Sequence, residues 1–260
     1  MTKDSLTAAV IVTSNSQAYL EDLLASIDGQ THRPDMRIAI DDMSTDATSD
    51  LLEDNGFTVS RATSSAGDTT TRIAQNFLQG VRAAMTAGAE IVVLGDHDDV
   101  WHRNRVEHQA SLLNDHPSVA MLASDGYLID EHGAALPGTI RSTFPVPEDF
   151  NDQPIRVQIA FAVRHSIATG GACALRPAVL TDWSIPDGWL HDRWWSLATL
   201  RAGRFAADPT PVIDYRLTSD QQVGLDTALQ NHGRKWLSSK AKNAARSVSR
   251  TRDLSRLIAP

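Results

Sequence analysis

Short apolar runs of strand length recur along the chain, separated by stretches whose apolar residues repeat every three to four positions. The runs are residues 8–12 (AAVIV), 36–40 (MRIAI), 91–94 (IVVL) and 118–123. A half-exposed strand alternates apolar and polar positions, so continuous runs predict strands covered on both faces. Residues 17–27, 71–87 and 103–114 carry the period of amphipathic helices. Strands alternating with helices predict an α/β, Rossmann-like domain with a mostly parallel central sheet flanked by helices.

The second half is less regular. Helices are expected over 155–164 and 193–202, and strands over 171–175 and 211–215. Pro137, Pro145, Pro147 and Pro154 break the stretch before them, which reads as a mobile connection. The simplest organisation is one domain over residues 1–224 followed by a basic helical extension over 225–260.

Composition narrows the class. A chain of 260 residues can bury one large core, and its 42% hydrophobic and 22% charged residues are ordinary for a globular protein. The single cysteine, Cys173, excludes an internal disulfide and fits a reducing compartment. The first residues lack the pattern of a secretory leader, and no stretch approaches the roughly 18 apolar residues of a membrane span. The expectation is a cytoplasmic protein.

The net charge of −8 is unevenly spread. Residues 234–256 hold eight Lys or Arg against the single acid Asp253, which leaves 16 of the 24 bases and 31 of the 32 acids elsewhere. An acidic body argues against a nucleic-acid partner. In the tail, Trp236, Leu237, Ala241, Ala244, Ala245 and Val248 recur at helical spacing opposite the basic residues. Such a helix either packs on the body with a solvated basic face or lies on the anionic inner face of the cell membrane. Its stripe is thin in large residues, which favours packing.

In an open α/β sheet, ligands bind outside the carboxyl ends of the strands. Thr13-Ser14-Asn15-Ser16 follows the first run, Asp41-Asp42-Met43-Ser44-Thr45-Asp46 the second, and Asp96-His97-Asp98-Asp99 the third. Either acidic cluster alone could be a solvated turn or a helix cap. Two on one rim of a sheet point instead to a hard cation, since clustered carboxylates repel unless neutralised. Mg²⁺ or Mn²⁺ held by one or two carboxylates plus substrate phosphates is the expected arrangement for a nucleotide diphosphate.

An ordered set of motifs then carries a family resemblance. Val12-Thr13-Ser14-Asn15 with Tyr19-Leu20 comes first, followed by Asp41 to Thr48 and Gln75-Asn76-Phe77. Asp96-His97-Asp98-Asp99-Val100-Trp101, His191-Asp192-Arg193-Trp194-Trp195 and Tyr215-Arg216 complete it. Over residues 8 to about 224 the chain resembles the family 2 inverting glycosyltransferases of GT-A fold, in particular their rhamnosyltransferase-like branch. The resemblance implies transfer of a sugar from a dTDP- or UDP-linked donor to a glycan, glycolipid or small-molecule hydroxyl. It places Thr13, Ser14, Asn15, Asp41, Asp42 and Asp96 at the nucleotide, Asp98 with Asp96 at the metal, and Asp192 as catalytic base.

Arg72 and Arg216 are candidates for phosphate contact, since guanidinium suits it. Gly170-Gly171 is a candidate close approach to a sugar, or an ordinary turn. Trp101, Trp194 and Trp195 read as core, and His97, His102 and His191 receive no ligand role. One departure weakens the metal shell: many members carry a histidine shortly after the Tyr-Arg pair, where this chain has Thr218. Metal affinity without nucleotide is therefore expected to be low.

Rival functions fit less well. A sugar-phosphate nucleotidyltransferase wants a glycine-rich basic loop after the first strand, and Thr13 to Gln17 offers neither. A haloacid dehalogenase phosphatase wants D-x-D-x-T after its first strand, which Asp41 to Thr45 does not match. A non-catalytic nucleotide-sugar-binding or scaffold domain is opposed by Asp98 and Asp192, and given room by the missing histidine.

Overall fold

The computed structural model describes residues 5–218 and 252–254. Strands β1 (Thr7–Thr13), β2 (Met36–Asp41) and β4 (Ile91–Asp96) form where the apolar runs predict them, and β3 (Thr58–Arg61) adds an edge. Helices α1 (Gln17–Asp28), α2 (Thr48–Asp54), α3 (Thr69–Thr86) and α4 (Arg105–Asp115) connect them. Asp68 caps α3 by accepting from the Thr71 amide at 3.1 Å, an interaction worth about 1 kcal/mol.

The remaining strands are β5 (Val100–Trp101), β6 (Met121–Ile129), β7 (Ala135–Thr139), β8 (Cys173–Leu175) and β9 (Phe205–Arg216). Helices α5 (Ile140–Thr143), α6 (Ile155–Arg164) and α7 (His191–Arg201) complete the set. All nine strands among the described residues join one sheet in the order β3-β2-β1-β4-β8-β6-β9-β5, with β7 paired to β6. The first four run parallel, and β8 runs antiparallel to both β4 and β6.

Alternate residues of each strand point to opposite faces, and the two faces have different covers. Ala8, Val10, Val12, Ile38, Ile40, Val92 and Leu94 pack with Phe77, Leu78 and Val81 of α3 and with Trp195 and Leu200 of α7. Ala9, Ile11, Ala39, Ile91 and Val93 pack with Leu20, Leu23 and Ile27 of α1, Leu52 of α2, and Val106 and Leu113 of α4. Burial on both faces explains why these strands lack an alternating pattern.

Two expectations need correction. The proline-broken stretch from 137 to 154 is built into the body: β7 and α5 dock on β6, Arg141 donates to the carbonyls of Ala123 and Asp208, and Phe150 is buried. The fourth strand starts later and runs further than residues 118–123, because a register shift at Asp125 and Gly126 carries it through polar positions. The expected boundary at residue 224 and nearly all of the basic extension lie outside the described residues. Within residues 252–254, which are helical, Asp253 accepts from Trp189 Nε1 at 3.1 Å and Leu254 packs on the core. Among the described residues, no helix is long and apolar enough to cross a membrane.

Candidate active site

Strand order reverses beside β1: the chain leaves it towards β2 and β3 on one side and towards β4 on the other. Such a switch point opens a crevice at the carboxyl ends of the strands. The register aligns Thr13 with Asp41 and Val12 with Asp96, so the three strand ends stand level. A cleft of about 700 Å³ lies there. Thr13, Ser14, Asn15, Asp42, Arg72, Asp96, Asp98 and Asp192 all line it, joined by Tyr19, His97, Gly170, His191 and Thr218.

Asp41 is the exception among the expected residues. It is fully buried, accepts hydrogen bonds from the Ser44 amide at 3.2 Å and the Thr13 hydroxyl at 3.5 Å, and does not line the cleft. It shapes the turn that presents Asp42. That turn is braced against the loop after β1. Asn15 N–H donates to Ser44 Oγ at 2.8 Å, Thr45 N–H donates to Asn15 Oδ1 at 2.9 Å, and Ser16 N–H donates to Thr48 Oγ1 at 2.8 Å. Arg72 Nε donates to Asp42 Oδ2 at 2.7 Å, which holds both side chains in the cleft wall.

Arg216 does not reach the cleft as a phosphate ligand. Its guanidinium is 2% exposed and donates to Asp98 O, Glu131 O and Asp22 Oδ2, and its N–H donates to Asp99 Oδ1. It pins the acidic loop from behind. Trp101 closes the same loop from the other side, 3% exposed with the Arg105 guanidinium 4.0 Å above its ring. Trp195 is fully buried, as its core reading expects.

Burial and like charge govern the acids. Burial first, then the neighbouring charges of Asp98 and Asp192, push the Asp96 carboxyl up to about 7. Asp99, fully buried with Oδ2 unpartnered, is pushed well above the usual carboxylate range by burial and by Asp98 and Asp96. Arg105 lies fully buried beneath them, and burial lowers its guanidinium to about 9. Among the described residues, no group of three acidic, histidine or cysteine side chains forms a ready metal cage. Asp96 and Asp98 nevertheless offer hard oxygen donors on one wall, with excess negative charge that a divalent cation would relieve.

Asp192 stands in the first turn of α7, where the helix dipole favours an acid. Its Oδ2 accepts from Gly170 N–H at 3.1 Å and its Oδ1 from Arg193 N–H at 2.6 Å. Burial outweighs these bonds and raises its carboxyl to about 6. Arg193 ties the helix start to the end of α6 by donating to His165 O and, at 2.9 Å, to Val163 O.

Residues 171 and 172, expected to open a strand, instead belong with Gly170 to a single 3-10 turn before β8. A Cβ at Gly171 would sit 2.4 Å from Asp99 Oδ2 and 2.8 Å from Asp96 Oδ2. Gly171→Ala is therefore expected to displace both carboxylates, lowering stability by about 1–3 kcal/mol. It is also expected to weaken metal-dependent nucleotide binding, read by melting and calorimetry. Normal binding in a folded Gly171→Ala protein would show that this contact does not hold the acids. Arg105 and His191 escaped the sequence reading as site residues. Arg105 was detectable, since it shares the buried stripe of α4 with Val106, Gln109, Ala110 and Leu113. A charge on an apolar stripe needs a buried partner.

A family model described as Glycosyl transferase family 2 matches residues 8–171. Among curated proteins, none matches the chain. Solved structures of similar fold include TarS 1-349 of S. aureus in complex with UDP-GlcNAc (17% identity, TM-score 0.55, covering 83% of this chain and 59% of that one). The mannosyltransferase PcManGT of Pyrobaculum calidifontis, in complex with GDP-Man and Mn²⁺, is 19% identical with TM-score 0.55, covering 84% and 59%. Glucosyl-3-phosphoglycerate synthase of Mycobacterium tuberculosis, in complex with Mn²⁺, UDP and glucosyl-3-phosphoglycerate, is 16% identical with TM-score 0.54, covering 86% and 74%. The chain spans about three fifths of the length of the first two. At these identities the likeness is one of fold, and it agrees with the GT-A expectation. With well over half its length matched and a sheet of this form, the chain belongs to glycosyl transferase family 2.

Proposed function

We propose that the enzyme transfers a sugar from a nucleoside diphosphate donor to a hydroxyl acceptor by one inverting displacement. The observation that carries this reading is a single cleft in which Asp96 and Asp98, at the end of β4, share the space with Asp192, at the start of α7. Thr13 to Asn15 and the Asp42–Arg72 pair form the wall proposed for the nucleotide. The acceptor oxygen attacks the anomeric carbon, its proton passes to a carboxylate oxygen of Asp192, and the bond to the diphosphate breaks. The nucleoside diphosphate leaves from the opposite face. With its carboxyl at about 6, Asp192 is ionised at neutral pH and able to take that proton.

Asp98, with Asp96, would hold Mg²⁺ or Mn²⁺, which when bound stabilises the charge of the leaving diphosphate. Two of the fold relatives are described with Mn²⁺ and a nucleotide or nucleotide sugar, which supports the assignment. Ile73, Phe144 and Leu190 line the cleft and offer a methyl group an apolar surface, which supports a deoxysugar such as rhamnose.

Calorimetric titration of UDP, dTDP and GDP with and without Mn²⁺ tests the donor site. One nucleotide is expected to bind, and more tightly with metal. Absence of binding by all three under both conditions would remove the donor assignment. For the matching nucleotide, a deoxysugar donor is expected to exceed its hydroxylated counterpart in kcat/KM by about tenfold or more, the value of one buried methyl. Equal turnover would remove the deoxysugar.

A further inference from the structure

His191 precedes the proposed base and is 4% exposed, with neither ring nitrogen hydrogen-bonded. Burial alone drives its imidazole down to about 3, so the ring is neutral. Leaving a buried polar group without a partner is destabilising. A ring serving only to fill space could be made of carbon at no such cost.

The surroundings fix where this ring can go. Phe77 stacks on one face at a centroid distance of 3.8 Å and 25° between planes. Trp195, one turn further along α7, presents an edge-to-face contact at 5.4 Å and 72°. The ring edge then meets Gly170: a Cβ there would lie 2.3 Å from His191 Nε2 and 2.7 Å from Cε1. The imidazole is thus held by two aromatic neighbours with its edge where a side chain at Gly170 would begin.

Gly170 is also the residue whose N–H donates to Asp192 Oδ2 at 3.1 Å. Consecutive residues on a helix point about 100° apart, so His191 cannot touch the Asp192 carboxylate along the helix. It reaches the carboxylate through the turn from residue 170 to 172. We infer that His191 and Gly170 act together as a positioning device for Asp192, the ring holding the Gly170 amide where it fixes the base carboxylate.

The inference rests on Asp192 being the base, and the test separates the two. Nucleoside diphosphate release from the donor that the wild type uses is measured for Gly170→Ala, His191→Ala and the double variant, alongside nucleotide binding and melting temperature. In Gly170→Ala the new methyl meets the ring, and kcat is expected to fall about 100-fold, the scale of a misplacement of about 1 Å. Donor KM and nucleotide affinity stay within about threefold of the wild type, since the base acts only in the transition state. His191→Ala also lowers kcat at constant KM.

The double variant, in which the methyl has room, is expected to exceed Gly170→Ala at least tenfold in kcat and to melt higher, even where Gly170→Ala itself folds poorly. A double variant no better than Gly170→Ala in either respect overturns the device. Equal loss of kcat and nucleotide affinity in the singles also overturns it, by reducing the contact to packing. Should the wild type release no nucleotide from any donor, the transferase reading fails, and the melting comparison still reports on the contact.

Discussion

Asp192→Asn is expected to lower kcat by about 10³-fold while donor KM and nucleotide affinity stay unchanged, the effect of removing a general base. Asparagine keeps an acceptor oxygen for one of the two backbone donors, Gly170 and Arg193, but cannot take a proton. The base must be ionised, and burial raises its carboxyl to about 6, so wild-type kcat is expected to fall as pH drops through about 6. The remaining activity of the variant should lack that limb. A variant with near wild-type kcat, or one that keeps the limb, would remove Asp192 from the chemistry.

Stability moves the other way. A carboxyl whose folded value lies above its unfolded value, about 3.9, binds more protons folded than unfolded between the two. Its contribution is most favourable below the unfolded value and is lost as pH rises through about 6. At pH 8 the ionised Asp192 therefore costs about 3 kcal/mol, and Asp192→Asn is expected to melt higher there than the wild type. At pH 4 the two should nearly coincide.

The second large effect belongs to Asp98→Ala, and its sign depends on the metal. With Mn²⁺ present, nucleotide diphosphate affinity is expected to drop about 100-fold, in keeping with the several kcal/mol a cation supplies at phosphate oxygens. Without metal, the variant should bind the nucleotide at least as well as the wild type, because one carboxylate facing the diphosphate is gone. Mn²⁺ alone should bind the wild type weakly, since Thr218 lines the cleft with a neutral hydroxyl, a poor metal donor. Calorimetry with metal, with chelator and with metal alone reads all three. Loss of affinity in chelator as well as in Mn²⁺ would mean that Asp98 contacts the nucleotide itself.

The parallel half of the fold was legible because strands buried on both faces leave unbroken apolar runs, and α1, α3 and α4 carry clean amphipathic periods. Elements that bury little left no such trace. β3 is an edge strand with one apolar residue, Val59, β5 has two residues, and the short α2 turns mainly Leu52 into the core. Among site residues, the acids stood out because each cluster follows a strand. Asp41 was assigned to the nucleotide from the family resemblance and Arg216 to phosphate from residue type, and in the structure both make internal bracing hydrogen bonds. Type alone does not distinguish a buried charge that binds from one that holds a loop. The role of Gly170 depends on His191, 21 positions away, and only the folded chain brings them together.

The antiparallel strand β8 carries a consequence for how this enzyme can diversify. It separates the parallel strands β1 to β4 from the later strands, and the family match ends at residue 171, just before it. The wall proposed for the nucleotide is complete in the chain before that seam, whereas Leu190, Asp192, Arg193 and Thr218 come after it. Drift or recombination beyond β8 can therefore reshape one wall and leave the other as inherited. A lineage built this way would keep its donor nucleotide while exploring new sugars and acceptors.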